Sequence, residues 1–328
     1  MKEKAFLKYL SKNNVSQEQA AIYISRLNEF NKFLEKDNKN VDSIPDGEIV
    51  NYTEYLIENN EDDVLDLLRA LINYANFIKK YDYIVEIIDL SESYNAMDNL
   101  YQRVAEQFDE ITRDEIFENM EIPPLGSHPD KKPEFTKVVM KRLEEKLGEE
   151  KTIELLKPCL HGRPGSLKKD RENFLRINDI DEFLKVKKQE LIEQMQKHQK
   201  EGTLEFAQYI DGDVMEYIKN NPTISPGKRE GDKIIDTKMP YQTMKHLNTK
   251  DEKMKRYYSC YCPWVRGAIK NGTEKEISPN FCHCSAGYTK IYWDTIFDQP
   301  TKVEPIETAL TGALVCKFAI HIPKEFQK

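Results

Sequence analysis

The C-terminal quarter of the chain contains YYSCYCPWVRGAIK at residues 257–270 and FCHCSAGYTKIYWDTIF at residues 281–297. It ends in GALVCKFAIHIP at residues 312–323. Five of the six cysteines and both tryptophans lie in this stretch. A helical pattern follows Gly287 and an apolar strand pattern follows Cys316, so the stretch predicts a mixed helix-and-strand domain. The cysteines also make it the place where a functional site is expected.

The amino-acid composition limits the classes of protein to which this chain can belong. The 328 residues, of which 39% are hydrophobic and 32% charged, suffice for two domains. The formal net charge of -8 disfavours a general nucleic-acid binder, because phosphate binding needs a concentrated basic face. No secretory signal and no apolar run of about 18 residues is visible, so membrane insertion is not predicted. We therefore expect a cytoplasmic protein, in which paired cysteines bind metal, do chemistry or pack in the core rather than form disulfides.

Residues 1–90 predict a helical bundle. Apolar residues recur at spacings of three and four between Ala20 and Leu34, after a helix start at Ser16. Further helices are predicted over about residues 46–58 and 63–79. The alternatives for this region are a helical interaction domain or a dimerisation domain, and a homodimer is the candidate assembly.

This order of short helices resembles the SAM-like core-binding domain of tyrosine recombinases. The resemblance implies a SAM-like helical fold for residues 1–90 and, as a third functional hypothesis, DNA-linked regulation. The downstream sequence contains no His-x-x-Arg followed by a nucleophilic tyrosine, so recombinase activity is not predicted.

Residues 91–133 are predicted to be a helical extension and a linker, since several prolines and a glycine fall between Pro123 and Pro133. Residues 134–328 are then an α+β small-molecule-binding domain with a small antiparallel sheet and packed helices. Its predicted elements include helices over residues 135–147 and 179–200 and a strand over residues 233–239.

Two Cys-x-Cys motifs carry the metal hypothesis. On an extended segment, residues two apart point to the same face, so each motif can present two sulfurs together. Thiolates favour zinc and other soft metals. The alternative is a set of reduced cysteines that line a pocket or the core. The candidate metal ligands are Cys260, Cys262, Cys282, Cys284 and Cys316, with zinc as the candidate cofactor.

A second hypothesis is nucleophilic catalysis. Cys282 and Cys284 precede the predicted helix that follows Gly287, and a helix start stabilises a thiolate. Either cysteine is a candidate nucleophile, with His283 or His161 as the base.

From Cys282 onward the sequence resembles the small-molecule-binding domain named for 4-vinyl reductase. The shared features are a Cys five residues before Gly287-Tyr288, a turn at residues 298–301, a Glu-rich strand, and Gly312 followed by Cys316. In zinc-binding members the ligands are the first Cys, a Glu and a Cys on the strand, and the last Cys. The resemblance places the first and last ligands on Cys282 and Cys316. The two strand positions fall on Pro305, beside Glu304, and on Thr308, neither of which is the family's ligand.

The same C-terminal pattern is similar to L-2-amino-thiazoline-4-carboxylate hydrolases and to related bacterial proteins. This resemblance implies a hydrolase of a small C=N or amide-type substrate, acting through metal-activated water or a Cys thiolate. Small-molecule binding by a sensor-like protein is the first functional hypothesis, and the hydrolase is the alternative.

A ligand cavity is predicted near the cysteines, with aromatic walls and polar anchors. Arg266 is a candidate clamp for a carboxylate, and His161 lies in a loop framed by glycine and proline. Glu304 and Glu307 are candidates for acid/base work, although strand residues three apart reach one site only across a bulge. The full candidate ligand-binding set is His161, Trp264, Arg266, His283, Tyr288, Lys290, Tyr292, Trp293, Glu304 and Glu307.

Overall fold

The chain folds into two units, each with its own apolar core. The computed structural model describes residues 2–60, 64–163 and 165–327. Met1–Tyr94 and Pro123–Lys131 form one unit, and Asn95–Ile122 and Lys132–Lys328 form the other. The predicted α+β class is confirmed, and so is the helical N-terminal region.

The described residues of the N-terminal unit include five amphipathic helices. The predicted helix start at Ser16 is confirmed, because the Ser16 hydroxyl accepts a hydrogen bond of 3.1 Å from the Gln19 amide. Tyr74 and Phe6 meet edge to face in the core, with ring centroids 5.1 Å apart. Asp63, the predicted start of one helix, lies outside the described residues. The helices are α1 (Glu3–Lys12), α2 (Gln17–Glu35), α3 (Glu48–Glu58), α4 (Val64–Ile78) and α5 (Asp82–Ser91).

The region predicted as extension and linker is divided between the two units. Helix α6 (Ala96–Gln107) and helix α7 (Glu110–Ile116) belong to the second unit, because the apolar face of α6 with Leu100 and Val104 is buried in that core. The segment that carries the prolines belongs to the N-terminal unit, where the Thr53 hydroxyl donates a 2.9 Å hydrogen bond to the Gly126 carbonyl.

The second unit is a helical layer around a small sheet. The predicted helices over 135–147 and 179–200 appear as α8 (Lys132–Leu147) and α11 (Ile180–Glu201), and the predicted strand over 233–239 appears as β4 (Lys233–Thr237). Its remaining helices are α8 (Lys132–Leu147), α9 (Glu149–Leu156), α10 (Lys168–Ile177), α11 (Ile180–Glu201), α12 (Gly212–Asn220), α13 (Thr243–Asn248), α14 (Glu252–Ser259), α15 (Pro263–Asn271) and α16 (His283–Phe297).

Four of the strands form one antiparallel sheet in the order β3-β4-β6-β5. Ile234 lies opposite Ile320 in the β4–β6 register, and both are fully buried. These side chains pack with Trp293 and Ile296 of α16, so one face of the sheet covers this helix. The strands are β1 (Leu204–Glu205), β2 (Gln208–Tyr209), β3 (Lys228–Glu230), β4 (Lys233–Thr237), β5 (Val303–Glu307) and β6 (Lys317–His321).

Helix α16 also crosses the chain just after α9 at very short range. A Cβ atom at Gly287 would lie 2.1 Å from the Lys157 carbonyl oxygen and 2.7 Å from the Cys159 amide nitrogen. Glycine is therefore required there by the contact between two backbones, and it lies within the helix rather than in a turn.

None of the described helices combines the length and the apolar character that crossing a membrane demands.

We expect Gly287→Ala to destabilise the second unit by about 3 kcal/mol or more, because backbone atoms cannot move aside as a flexible side chain does. Urea unfolding followed by circular dichroism measures the loss. Gly212→Ala is the matched control, since a Cβ at that helical glycine meets nothing within 4 Å. The control should change stability by no more than about 1 kcal/mol. Equal stability of the two variants would contradict the close approach.

Candidate metal centre

Three potential metal ligands from two distant segments converge in the second unit. Cys159 and His161 lie in the loop after α9, and Cys284 is the second residue of α16. Their ligand atoms all lie within 4.8 Å of one another, and the two Sγ atoms are 4.0 Å apart. Among the described residues, this is the group of three or more such side chains that is close enough to hold a metal ion.

Helix α6 fixes the backbone of the loop that carries Cys159. The Arg103 guanidinium donates hydrogen bonds to the carbonyls of Leu155, Pro158 and Cys159. The Asn99 side-chain amide donates to the Leu160 carbonyl. From the other side, the Leu160 amide donates a 3.3 Å hydrogen bond to Cys284 Sγ. The loop is therefore held between α6 and α16.

An aromatic contact orients His161. Its imidazole stacks on the ring of Tyr288, with centroids 5.8 Å apart and planes inclined by 29°. The Arg163 guanidinium lies 4.5 Å from the centroid of the same ring and donates to the Tyr288 carbonyl. Tyr288 lies one turn after Cys284 on α16, so one helix positions both the second sulfur and the imidazole.

The pKa values of the two thiols are shifted in opposite directions. The pKa of Cys159 is lowered, first by its hydrogen bond with Cys284 and then by His161. The pKa of Cys284 is raised well above its ordinary value, first by the hydrogen bond with Cys159 and then by burial. The contact between the two sulfurs therefore favours the charged form of Cys159 and the neutral form of Cys284.

An open surface depression of about 420 Å³ lies beside this group. Cys159 and His161 contribute to its wall, and helix α6 contributes a row of polar side chains at helical spacing. The lining residues are Asn99, Gln102, Arg103, Glu106, Cys159, Leu160, His161 and Gly162.

The geometry fits a soft, tetrahedral metal. With zinc–sulfur bonds of about 2.3 Å, two thiolates of one tetrahedral site lie about 3.8 Å apart. The observed separation of 4.0 Å is close to this value. Two sulfurs and one imidazole are a donor set that binds zinc, copper and iron in preference to magnesium or calcium. The group can thus hold a metal ion.

The other four cysteines form no comparable group. All six cysteines belong to the same apolar cluster, but among the described residues no three of Cys260, Cys262, Cys282 and Cys316 bring their sulfurs within 4.8 Å. Burial raises the pKa of Cys262 to about 11 and that of Cys282 to about 12, and it also raises the pKa of Cys260 and Cys316. After burial, the charges of Cys316, Cys262 and Cys282 also raise the pKa of Cys260, so these four sulfurs lie near one another although no three of them meet that distance.

Two of these four cysteines lie at the starts of helices, where an ordinary thiol would be expected to be more reactive. Cys262 precedes Pro263 at the start of α15, and Cys282 precedes His283 at the start of α16. Burial outweighs the effect of the helix start at Cys282, so its raised pKa opposes nucleophilic reactivity. Burial also lowers the pKa of His283, which is therefore a neutral imidazole at neutral pH.

The aromatic and cationic residues that were predicted to line one cavity lie in different parts of the second unit. Tyr288 lies at the centre, whereas Trp264 and Trp293 are buried in two different apolar clusters. The Arg266 guanidinium is buried between two tyrosine rings and lies 4.4 Å from the centroid of Tyr241.

Two further predicted ligand residues of α16 have acidic partners. Tyr292 donates a 3.1 Å hydrogen bond to Asp170, and Lys290 pairs with Asp294 one turn later in the helix.

The carboxylates of Glu304 and Glu307 form ion pairs with different partners. Glu304 contacts His321 at 2.8 Å and Lys302 at 2.9 Å, and Glu307 pairs with Lys317 at 2.9 Å. A register shift does occur between Pro305 and Glu307. Even so, the two carboxylates are paired with different cations rather than joined at one site.

Cys159 is the candidate metal ligand that the sequence pattern did not predict. It is the one cysteine outside the C-terminal stretch, but it lies two residues from His161 in Cys159-Leu160-His161. A Cys-x-His pair in a loop framed by glycine is a signal of the same kind as Cys-x-Cys, and it identifies two of the three converging side chains.

Comparison of this chain with protein-family models, with curated proteins and with solved structures finds no match in any of the three. The centre is therefore interpreted from its own geometry and chemistry.

We expect Arg103→Met to lower metal affinity about tenfold, because the loop loses its support on α6 while all three ligands remain. It should also lower stability by about 2 kcal/mol, since buried carbonyls lose their donor. Titration with a chromophoric chelator measures the affinity.

Arg142→Met is the matched control for this prediction. Arg142 also donates to two carbonyls, those of Ile116 and Glu118, but it is absent from the wall of the depression. It should lower stability by a similar amount and leave metal affinity unchanged. Equal losses of metal affinity in the two variants would refute the positioning role of Arg103.

The ionisation of Glu304 is expected to make the stability of the fold depend on pH. Its pKa is lowered from 4.5 to about 2, first by the hydrogen bond with His321 and then by Lys302. The ionised carboxylate stabilises the fold above pH 4.5, and this contribution is lost as the pH falls from 4.5 towards 2. Glu304→Gln cannot titrate, so acidification should destabilise it about 0.5 to 1 kcal/mol less than the wild type, after discounting for solvent screening. If acidification destabilised the two proteins equally, the Glu304–His321 interaction would contribute nothing to the stability of the fold.

Proposed function

We propose that the protein binds a small organic molecule at a zinc centre formed by Cys159, His161 and Cys284. The observation that carries the proposal is the convergence of two sulfurs and one imidazole beside an open depression. Two Cys and one His are a ligand set of zinc sites that keep a position for an exogenous ligand. The bound molecule completes the coordination.

The walls of the depression supply further contacts for this molecule. Asn99 and Arg103 are committed to the loop carbonyls, whereas Gln102 and Glu106 expose their side chains on the same face of α6. These two side chains offer an amide and a carboxylate, so a ligand with hydrogen-bond donors suits this wall. The polar lining favours a hydrophilic ligand over an apolar one.

The resemblance of residues 282 onward to the 4-vinyl reductase-type domain supports small-molecule binding. The zinc ligands proposed here differ from those that the resemblance implies. Cys159, His161 and Cys284 have their ligand atoms within 4.8 Å of one another, whereas Cys282 and Cys316 belong to no such group among the described residues.

A second candidate function is hydrolysis of a small C=N or amide-type substrate. The specific observation in its favour is that the centre has three protein ligands, because a fourth position held by water is what a catalytic zinc site uses. In this function the metal lowers the pKa of the water, and the polar wall of α6 orients the substrate.

Elemental analysis tests the zinc centre. We expect about one zinc per chain in the wild type and a loss of at least about 100-fold in affinity in Cys159→Ser, His161→Gln and Cys284→Ser, because each removes a ligand. Cys316→Ser and Cys282→Ser are the matched controls and should retain the metal. Zinc that survives in all three ligand variants, or that is lost with Cys282 or Cys316, would overturn the assignment.

Cobalt substitution tests the open position. Co²⁺ in a thiolate site absorbs visible light, and its spectrum depends on the complete ligand set. We expect azide or imidazole, used as small probes, to shift the spectrum, since an exogenous ligand can enter the coordination shell. A spectrum that neither probe changes would show a closed site, which would exclude both ligand binding at the metal and hydrolysis by metal-bound water.

A further inference from the structure

The two sulfurs of the centre are also placed for a second kind of chemistry. Cys159 and Cys284 are 125 positions apart in the sequence, yet their Sγ atoms are in contact at 4.0 Å. A disulfide has a sulfur–sulfur bond of about 2.05 Å, so bond formation needs an approach of about 2 Å, which side-chain rotation can supply where the backbones are already close.

The backbones around these two cysteines are held close together. The approach of Gly287 to Lys157 and Cys159 leaves no room for a side chain between α16 and the loop. The Leu160 amide contacts Cys284 Sγ at 3.3 Å, and Arg103 holds the Cys159 carbonyl from α6. The two sulfurs therefore meet without the loss of chain entropy that closing a loop of this length would require.

The two thiols differ in their position relative to the depression. Both are buried, but Cys159 belongs to the wall of the depression, whereas Cys284, 4.0 Å from it, does not. A small reagent that enters from solvent consequently meets Cys159 first, and Cys284 is the nearest partner for whatever forms there.

We propose that Cys159 and Cys284 are a redox-active dithiol, which a hydroperoxide oxidises to a disulfide in the metal-free protein. Cys159 sulfur attacks one peroxide oxygen, the O–O bond breaks, and the thiol proton passes to the departing oxygen, so that Cys159 becomes a sulfenic acid and one molecule of water or alcohol leaves. Cys284 sulfur then attacks the sulfenic sulfur, the S–O bond breaks, and water leaves. In total, the two thiols lose two electrons and two protons, and the peroxide is reduced.

This inference deepens the proposed function, on which its regulatory part rests. The same two sulfurs cannot bind zinc and form a disulfide, so oxidation removes two of the three ligands. Bound metal in turn protects the dithiol. The centre thereby responds to peroxide as well as to its small-molecule ligand.

The test uses the full chain, freed of metal with a chelator and treated with hydrogen peroxide. We expect the count of free thiols to fall by two from the initial six, with a cross-link between Cys159 and Cys284 in the tryptic digest. One tryptic peptide, residues 276–290, contains both Cys282 and Cys284. Cys282→Ser is therefore the matched control, and it should give the same cross-link. In Cys284→Ser the cross-link should be absent, and a dimedone probe should trap sulfenic acid on Cys159.

Two results would overturn the dithiol. One is a Cys282→Ser protein that is folded by circular dichroism and forms no cross-link. The other is a disulfide that joins Cys159 to a different cysteine in the wild type.

The metal and the dithiol are separated by His161→Gln, which removes one zinc ligand and leaves both sulfurs. At a free zinc concentration about ten times the wild-type Kd, oxidation of the wild type should slow about tenfold, whereas the variant should oxidise at its metal-free rate. Zinc that slows neither protein would refute the metal centre and its protection while leaving the dithiol supported. Zinc that binds through the three expected ligands, without any disulfide in the metal-free protein, would refute the dithiol alone.

Discussion

The contact between two backbones at Gly287 is the constraint on which the centre depends. With a hydrogen in place of a side chain, α16 approaches the chain after α9 closely enough for Cys284, three residues earlier, to touch Cys159. The same approach brings Tyr288 under the His161 ring. On its opposite face α16 packs Trp293 and Ile296 against β4 and β6. The sheet therefore buries one face of the helix while the other face supplies a sulfur and an aromatic platform to the loop.

Much of the fold was accessible from the sequence because its signals are local. Amphipathic periodicity predicted the N-terminal helices and α11, and alternation predicted the strand that became β4. The assignment of residues 95–122 to the second unit was not accessible, because proline and glycine mark a break in the chain but do not say which core the flanking helices join. Leu100 and Val104 are ordinary apolar positions of a helix, and only the packing shows their partners. The pairing of β4 with β6 is likewise a long-range event between segments about 80 residues apart.

The candidate site was harder to predict for a reason of geometry. The Cys-x-Cys argument assumed extended chain, in which residues two apart share a face. In the structure Cys260 and Cys262 do have extended backbone between α14 and α15, whereas Cys282 precedes α16 and Cys284 lies inside it. Residues two apart on a helix differ by about 200° in direction, so Cys282 and Cys284 diverge. The two cysteines that do converge are Cys159, in a loop, and Cys284, in a helix. Because they are far apart in the sequence, no local spacing predicts their contact. His161 and Cys284 were among the predicted residues, and Cys159 between them in space was not.

The charge of the centre explains why a buried pair of thiols can be stable in each of its states. Cys159 and Cys284 are only 5% and 7% exposed, so two bare thiolates there would be strongly disfavoured. The Arg103 guanidinium is near enough to interact favourably with a negative charge on either sulfur. A divalent ion with two thiolates and a neutral imidazole has no net charge at all, and a disulfide has none either. Both alternatives therefore avoid two bare thiolates in a buried site, and they compete because they use the same two sulfur atoms.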